Sequence, residues 1–170
     1  MSPTPREKLL RVIDYETCIG CHTCEEVCSF LHDDETSFIR LYEVYSGLKR
    51  PISCFHCFYA PCVTACPTGA MHRDRDGAVV VDTARCIGCL SCLAACPFGI
   101  PELSHRGYVA KCDLCSKLRQ QGLEPGCVAM CPARAIAWGK GVEVSESMRR
   151  RALAKILAPM VQDVEGGQPA

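Results

Sequence analysis

Sixteen cysteines dominate the chemistry that this sequence can support, and they fall into four groups of four. The first and third groups are spaced C-x2-C-x2-C-x3-C, the second widens its middle gap to four residues, and the fourth has an eleven-residue spacer. Three thiolates at i, i+3 and i+6 let one tight loop reach three iron atoms of a cubane cluster. The groups are Cys18, Cys21, Cys24 and Cys28; Cys54, Cys57, Cys62 and Cys66; Cys86, Cys89, Cys92 and Cys96; and Cys112, Cys115, Cys127 and Cys131.

The residues around the cysteines strengthen this interpretation. Residues 17–30 and 85–98 are identical at 7 of 14 positions, so the first motif is repeated within the chain. Gly20 and Gly88 allow the backbone to curl close to a cluster. A proline follows the last cysteine of the second, third and fourth groups, and in such runs the fourth cysteine ligates the other cluster of a pair. All sixteen cysteines are therefore predicted iron ligands, enough for four [4Fe–4S] clusters at four ligands each.

Zinc binding and disulfide formation are less consistent with the spacing of the cysteines than iron–sulfur ligation is. Structural zinc modules separate two C-x-x-C pairs rather than placing three cysteines within seven residues. Disulfides are disfavoured because the first 13 residues contain no apolar stretch typical of a signal peptide, and the cytoplasm keeps thiols reduced. His22 and His56 lie inside the motifs and could replace a thiolate, as in Rieske centres. With sixteen cysteines available, a hydrogen bond to a cluster or simple exposure is the favoured role for both.

Charge and motif content exclude several classes of function. Nineteen basic residues balance nineteen acidic ones, so no basic surface for nucleic acid is expected. No uninterrupted run of 18 apolar residues is present, which argues against direct membrane insertion. No hydrolase triad, phosphate-binding glycine loop or H-E-x-x-H motif occurs. We therefore expect a cytoplasmic protein that has no catalytic residues and is not an enzyme on its own.

The elements that must position the cysteines are predicted to be short. Residues 69–73 and 78–82 form a predicted hairpin with Asp76-Gly77 at its turn, and residues 37–45 form a further strand. A short helix is expected after the last cysteine of each group. A C-terminal helix is predicted over 142–161, with Ser145 as its N-cap, followed by a flexible tail over 162–170. The apolar face of this helix could dock on a partner or pack on its own lobe.

Three runs of sequence resemble a known family. Residues 53–71, 86–97 and 111–136 are similar to the four-cluster iron–sulfur subunits of molybdenum and tungsten oxidoreductases, and the likeness extends over about 14–140. Dimethyl sulfoxide reductase, formate dehydrogenase and tungsten aldehyde oxidoreductases have such subunits, as do some hydrogenase and carbon monoxide dehydrogenase systems. The chain looks most like the short soluble members that serve tungsten aldehyde oxidoreductase or carbon monoxide dehydrogenase.

The resemblance implies a crossed set of ligands and a fold. It implies an α+β protein of two interleaved ferredoxin-like lobes, each binding two [4Fe–4S] clusters. Lobe one would comprise 14–49 and 107–141, and lobe two 50–106, within a four-cluster unit over 1–141. The implied ligand sets are Cys18, Cys21, Cys24 and Cys131; Cys112, Cys115, Cys127 and Cys28; Cys54, Cys57, Cys62 and Cys96; and Cys86, Cys89, Cys92 and Cys66.

The function implied by the resemblance is electron transfer. The expected partner is a large catalytic subunit with a tungsten or molybdenum cofactor, with the aldehyde oxidoreductase type favoured. A further redox subunit or a soluble ferredoxin is the expected additional partner. The alternatives are a subunit of carbon monoxide dehydrogenase or hydrogenase, a free soluble polyferredoxin, and, in a different class, a zinc-bound structural module.

Overall fold

The computed structural model describes residues 8–32 and 37–165, and these combine short helices with two-stranded antiparallel sheets. The strands are β1 (Leu9–Ile13), β2 (Ile39–Tyr45), β3 (Leu48–Ser53), β4 (Met71–Arg73), β5 (Val79–Val81), β6 (Glu102–Leu103), β7 (Val109–Ala110) and β8 (Ile136–Lys140). The helices are α1 (Thr23–His32), α2 (Pro61–Thr64), α3 (Ser91–Ala95), α4 (Ser116–Gln120), α5 (Gly126–Ala129) and α6 (Gly141–Glu165). The expected α+β class is confirmed. No helix within the described ranges combines the length and apolar character needed to cross a membrane.

The sheet of β1 and β8 joins the two ends of the cysteine-bearing chain. Leu9 lies opposite Lys140 and Ile13 opposite Ile136, and the Asp14 amide then donates to the Ala135 carbonyl at 2.7 Å. This pairing brings the first cysteine group next to the last one. Sequence reasoning did not predict it, because neither strand has a local partner along the chain.

The predicted hairpin in the middle of the chain is confirmed. Strands β4 and β5 pair antiparallel, and the Asp74 carboxylate closes the turn by accepting from the amides of Asp76 at 3.0 Å and Ala78 at 2.8 Å. Gly77 has a φ of +80°, which favours glycine at this position. The strand predicted over 37–45 is also present as β2, paired with β3.

The short helices do not lie where they were predicted. Helices α2, α3 and α5 end before Cys66, Cys96 and Cys131, not after them. In these groups the third and fourth cysteines are four residues apart. One helical turn between them places both side chains on the same side of the backbone. The spacing of the ligands therefore requires the helix inside each motif.

The packing of α1 against α5 brings the first and last cysteine groups into one core. Cys24, Cys28 and Cys127 are buried together there with Ile39 and Ile136. The two helices approach closely at Gly126, where an added Cβ would lie 2.3 Å from Leu31 Cδ1 and 3.2 Å from Val27 Cγ2. A glycine at this position thus sets the distance between the first and fourth groups.

A second core lies around the hairpin of β4 and β5. It contains Cys62, Cys92, Met71, Val79 and Val109 with Ala60. A third buried cluster, made of Ala78, Cys112 and Leu114, has Cys54 packed against it. The division into lobes over 14–49 with 107–141 and over 50–106 stays a prediction.

Helix α6 differs in its bounds and contacts from the predicted C-terminal helix. It begins at Gly141, and Ser145 is not its N-cap, because the Ser145 hydroxyl donates to the Gly141 carbonyl from inside the first turns. The apolar side chains of Leu153 and Ile156 are 54 % and 67 % exposed, so this part of the face is not packed on the chain's own lobe. Of the tail predicted over 162–170, residues 162–165 belong to α6, and 166–170 lie outside the described residues.

The close approach at Gly126 leads to a prediction about stability. Gly126→Ala should lower the free energy of unfolding of the loaded protein by about 1–3 kcal/mol, because the new methyl group overpacks the contact with Leu31. The control Ala129→Val enlarges an exposed side chain on the same helix and should change stability by less than about 0.5 kcal/mol. Urea unfolding followed by circular dichroism measures both, and equal effects would contradict the packing argument.

A second prediction concerns Asp14, which ties α6 to the start of the first motif. Its carboxylate accepts from Thr17 Oγ1 at 2.8 Å and from Lys155 Nζ at 3.0 Å. Partial burial raises the pKa of Asp14, but the bonds from Thr17 and Lys155 outweigh it and lower the pKa to about 2. Since the folded pKa lies below the ordinary 3.8, this stabilisation is present above that value and is lost as the pH falls towards 2.

The test compares two carboxylates that contact the same lysine. Asp14→Ala should lower the midpoint of urea unfolding at pH 7, because buried amides and a hydroxyl lose their acceptor. Glu16→Ala, whose carboxylate lies 2.8 Å from Lys155 Nζ but is 82 % exposed, should leave the midpoint nearly unchanged. The reverse order of the two effects would refute the role assigned to Asp14.

Candidate iron–sulfur cluster sites

The structure brings twelve of the sixteen cysteines around three pockets, each lined by four cysteines from two sequence groups, and the assignment of all sixteen as cluster ligands stays a prediction. All sixteen are free thiols. We define site 1 as Cys18, Cys21, Cys24 and Cys131; site 2 as Cys28, Cys112, Cys115 and Cys127; site 3 as Cys54, Cys57, Cys62 and Cys96; and site 4 as Cys66, Cys86, Cys89 and Cys92. These are the same sets that the family resemblance implied.

Three of the sites surround a cavity lined by all four of their cysteines. Apolar side chains complete the walls, among them Ile13 and Ile136 at site 1, Val79 and Ile100 at site 3, and Val81 at site 4. Such pockets, lined by cysteine thiols and apolar side chains, suit a metal cluster that is ligated by cysteine sulfur.

Site 2 is the most deeply placed of the four. All of its cysteines are buried, each with 8 % or less of its surface exposed. The Cys28 thiol interacts electrostatically with those of Cys112 and Cys127, and the Cys115 thiol interacts with the same two. Cys28 and Cys115 thus both lie near Cys112 and Cys127, although 84 residues separate Cys28 from Cys112 in the sequence.

The backbone of each C-x-x-C loop supports its sulfur atoms in the same way. The residue before the second cysteine has a left-handed conformation in all four groups: Gly20 at φ +69°, His56 at +47°, Gly88 at +66° and Leu114 at +57°. In two loops the amide of this residue donates to the first cysteine, from His56 to Cys54 Sγ at 3.4 Å and from Leu114 to Cys112 Sγ at 3.5 Å. Backbone N–H groups directed at sulfur favour the negatively charged form of the ligand.

Sites 1 and 4 share a hydroxyl contact that the sequence repeat contains. Thr23 Oγ1 lies 3.4 Å from Cys21 Sγ, and Ser91 Oγ lies 3.4 Å from Cys89 Sγ. These hydrogen bonds lower the pKa of both thiols. Thr23 and Ser91 occupy equivalent positions in the two copies of the repeat, so comparing the copies could have found them. Cys21 and Cys89 are also the two exposed cysteines of the chain.

The chemistry of the donor sets fits iron–sulfur clusters. Burial, together with the neighbouring thiols, raises the pKa of Cys24 and Cys115 to about 12. Burial likewise raises the pKa of Cys28 to about 11. Thiols in such places stay neutral at pH 7 unless a metal cation stabilises their thiolates. Sets of four buried thiols around a small space therefore match the Cys₄ ligation of a [4Fe–4S] cluster.

Contacts between neighbouring sites place them in one succession. The thiols of Cys24 in site 1 and Cys127 in site 2 interact electrostatically, as do those of Cys54 in site 3 and Cys112 in site 2. Sites 3 and 4 share one core through Cys62 and Cys92. Among the described residues, site 1 is thus linked to site 2, site 2 to site 3, and site 3 to site 4.

The two histidines inside the motifs have hydrogen-bond partners of their own. His56 is 2 % exposed, and its Nδ1 accepts from the Val79 amide at 3.1 Å. Burial, reinforced by nearby cations, lowers its pKa well below 6.5, so the imidazole is neutral. His22 Nδ1 lies 2.7 Å from Glu25 Oε2. Neither contact involves a cysteine sulfur.

The sequence did not predict a side-chain contact to Cys127 that comes from outside every cysteine group. Arg11 Nη1 donates to Cys127 Sγ at 3.3 Å across 116 positions of the sequence. Arg11 lies on β1, outside every cysteine group, and reaches site 2 only because β1 pairs with β8. No local sequence signal marks a residue placed by such a long-range pairing.

Comparison with known proteins agrees with this geometry. Residues 46–141 match the family described as 4Fe-4S dicluster domain, and residues 11–30 match the 4Fe-4S binding domain. The chain is 37 % identical to the probable anaerobic dimethyl sulfoxide reductase chain YnfG of Escherichia coli, over 87 % of this chain and 80 % of that protein. It is 40 % identical to the thiosulfate reductase electron transfer subunit PhsB of Salmonella typhi, over 80 % and 77 %.

A third relative comes from Pyrococcus furiosus and carries a different name. The chain is 39 % identical to its aliphatic sulfonate oxidoreductase polyferredoxin-like subunit, over 77 % of this chain and 76 % of that protein. The sixteen cysteines fit four [4Fe–4S] clusters, and relatives named as subunits agree with a chain that is not catalytic alone. The chain therefore belongs to the family of 4Fe-4S electron-transfer subunits of the dimethyl sulfoxide reductase type.

Proposed function

We propose that this chain relays single electrons through clusters in sites 1, 2, 3 and 4, between a large catalytic oxidoreductase subunit and an electron acceptor. The observation that carries this proposal is the succession of four four-thiol sites whose exposed thiols, Cys21 and Cys89, lie in the two end sites. Ile19 and Ile87, next to these cysteines in the repeat, are 68 % and 66 % exposed. Exposed apolar residues beside an end site suit contact with a redox partner.

The ligand sets in this proposal are the four sites as defined above, each crossing between two groups. Three cavities lined by four cysteines apiece support the assignment, as do the interactions of Cys28 and Cys115 with Cys112 and Cys127. Bound [4Fe–4S] clusters supply one-electron transfer. Four thiolates per site leave no iron position open to a substrate, so substrate chemistry belongs to the partner.

The proposed partner is a large subunit with a molybdenum or tungsten cofactor. The sequence favours the aldehyde oxidoreductase type, which stays a prediction. The names of the relatives support a second candidate, an oxidoreductase that acts on a small sulfur–oxygen compound, since the three are named for dimethyl sulfoxide, thiosulfate and aliphatic sulfonate. Carbon monoxide dehydrogenase, hydrogenase and a free polyferredoxin are the remaining alternatives.

The proposed location is the cytoplasm. Sixteen cysteines that must stay out of disulfides in order to bind iron are best preserved in a compartment whose thiol pool is reducing. Fractionation of the native complex tests this directly. Recovery with the soluble cytoplasmic fraction supports the location, and recovery outside the cytoplasm contradicts it.

The metal content of the native complex tests the proposed partner. Anaerobic purification followed by mass spectrometry should give about sixteen iron atoms per copy of this chain beyond those of the partner, with molybdenum or tungsten. Nickel would identify carbon monoxide dehydrogenase or hydrogenase instead. Purification without a large subunit would favour the free carrier, and zinc in place of iron would overturn the proposal.

A cysteine substitution tests the crossed ligand sets. In the reduced protein, Cys131→Ser should alter the same electron paramagnetic resonance signal as Cys21→Ser, because both residues belong to site 1 although 110 positions separate them. Cys115→Ser, a member of site 2 from the same group as Cys131, serves as the matched control and should alter a different signal. If Cys131→Ser and Cys115→Ser alter one common signal, the crossed assignment is wrong.

A further inference from the structure

Three cations lie near the middle of the succession of sites. Lys8 and Lys111 are 3 % and 5 % exposed, and the Nε of Arg11 is shielded from solvent without a hydrogen-bond partner in the described part of the chain. All three act on His56, whose pKa is lowered first by burial and then by Lys111, Arg11 and Lys8. The cations therefore share one buried region around this neutral imidazole.

Arg11 belongs to site 2. Its guanidinium donates to Cys127 Sγ at 3.3 Å and to the Cys54 carbonyl at 3.4 Å, and it also donates to Ser53 Oγ. Burial works against its charge, but the thiolates of Cys112, Cys127 and Cys28 raise its pKa. A permanent positive charge thus faces three of the four ligands of site 2.

Lys111 performs the corresponding role at site 3. Its Nζ donates to the Cys112 carbonyl at 2.9 Å and to the Val79 carbonyl. Burial raises the pKa of the Cys54 and Cys62 thiols, and the charge of Lys111 opposes this effect at both. Lys8 also lies near Cys57 and Cys54 of this site, although Asp74 acts on it as well.

The charges of Arg11 and Lys111 are not offset by carboxylates. Neither forms an ion pair with an acidic side chain among residues 8–32 and 37–165. By contrast Arg119, whose side chain is 3 % exposed, pairs with Asp74 at 2.5 Å and with Asp76. The region thus contains one neutralised cation, Arg119, and three cations, Lys8, Arg11 and Lys111, that act on cysteine ligands. The Asp113 carboxylate also acts on one ligand of site 2, Cys115.

The end sites contain different groups. The pKa shifts of Cys21 and Cys89 come first from the hydroxyls of Thr23 and Ser91. Burial and neighbouring thiols raise the pKa of Cys24. Burial also raises the pKa of Cys66, but hydrogen bonds to its sulfur outweigh burial and lower the pKa. No lysine or arginine lines the pocket at site 1 or site 4 among the described residues, whereas Lys111 lines the pocket at site 3. Sites 2 and 3 therefore differ from sites 1 and 4 in having a buried cation next to their cysteine ligands.

We infer that Arg11 and Lys111 keep the reduction potentials of sites 2 and 3 above those of sites 1 and 4, so that the two inner sites are reduced first. Each added electron increases the negative charge of a cluster, and a buried cation nearby stabilises that charge strongly because screening by water is weak there. The inference rests on the proposed function. Its consequence is that the chain stores two electrons in sites 2 and 3, while sites 1 and 4, which contain the exposed cysteines, exchange electrons one at a time.

The test is a redox titration of the loaded chain, followed by electron paramagnetic resonance. Arg11→Gln and Lys111→Met should each make one of the first two reduction steps harder, by about tenfold in the reduced-to-oxidised ratio at a fixed potential, or about 59 mV for one electron. Arg11→Lys, which keeps the charge, should restore most of the shift. The control Lys117→Gln removes an exposed lysine of α4 and should move no step by a comparable amount.

A measurement on the unmodified chain keeps the inference testable if the variants lose iron. With two electrons per chain, the spectrum should show spin–spin coupling, because sites 2 and 3 are neighbours. Two uncoupled signals would overturn the inference. So would unchanged potentials of the first two reduction steps in Arg11→Gln and Lys111→Met variants that retain sixteen iron atoms, or an equal change of potential in Lys117→Gln. An iron content far from sixteen in the unmodified chain would instead contradict the proposed function.

Discussion

The structure depends on holding cysteine thiols close together, seven of the sixteen of them buried, where a metal cation is needed to stabilise their thiolates. A buried thiolate without a counter-charge is strongly unfavourable, and burial raises the pKa of Cys24, Cys28 and Cys115 accordingly. Cysteines also make up much of the core, since Cys24, Cys28 and Cys127 pack with only two isoleucines in one of the buried clusters. Large apolar side chains such as Phe30 and Tyr59 are 84 % and 87 % exposed. Metal binding and folding are therefore coupled in this chain.

This coupling explains why the elements are so short. Helices α2, α3 and α5 have four or five residues each, too few to be stable alone in water. Each contains the third cysteine of its group and ends before the fourth, and because these two cysteines belong to different sites, one helix connects neighbouring sites. The sheet of β1 and β8 and the contact of α1 with α5 then join the first and last groups. These helices and pairings complete each site and also determine which sites are neighbours.

Local patterns in the sequence predicted the ligands and the hairpin of β4 and β5, because spacing and turn residues act over a few positions. They did not predict the sheet of β1 and β8 or the approach of Arg11 to Cys127, which depend on residues more than 100 positions apart. The helices were misplaced because each was expected to follow the last cysteine of its group, whereas α2, α3 and α5 end before that cysteine. Ser145 was misassigned because α6 begins four residues earlier, directly after β8.

The central claim is that four clusters lie in one line and that each is held by two cysteine groups. A crystal structure of the iron-loaded chain, with iron located by anomalous scattering, tests it most directly. The account predicts four compact iron peaks in the order of sites 1 to 4, each bonded to the four sulfur atoms of its site. Fewer peaks, a branched arrangement, or a cluster bound by the four cysteines of a single group would contradict it.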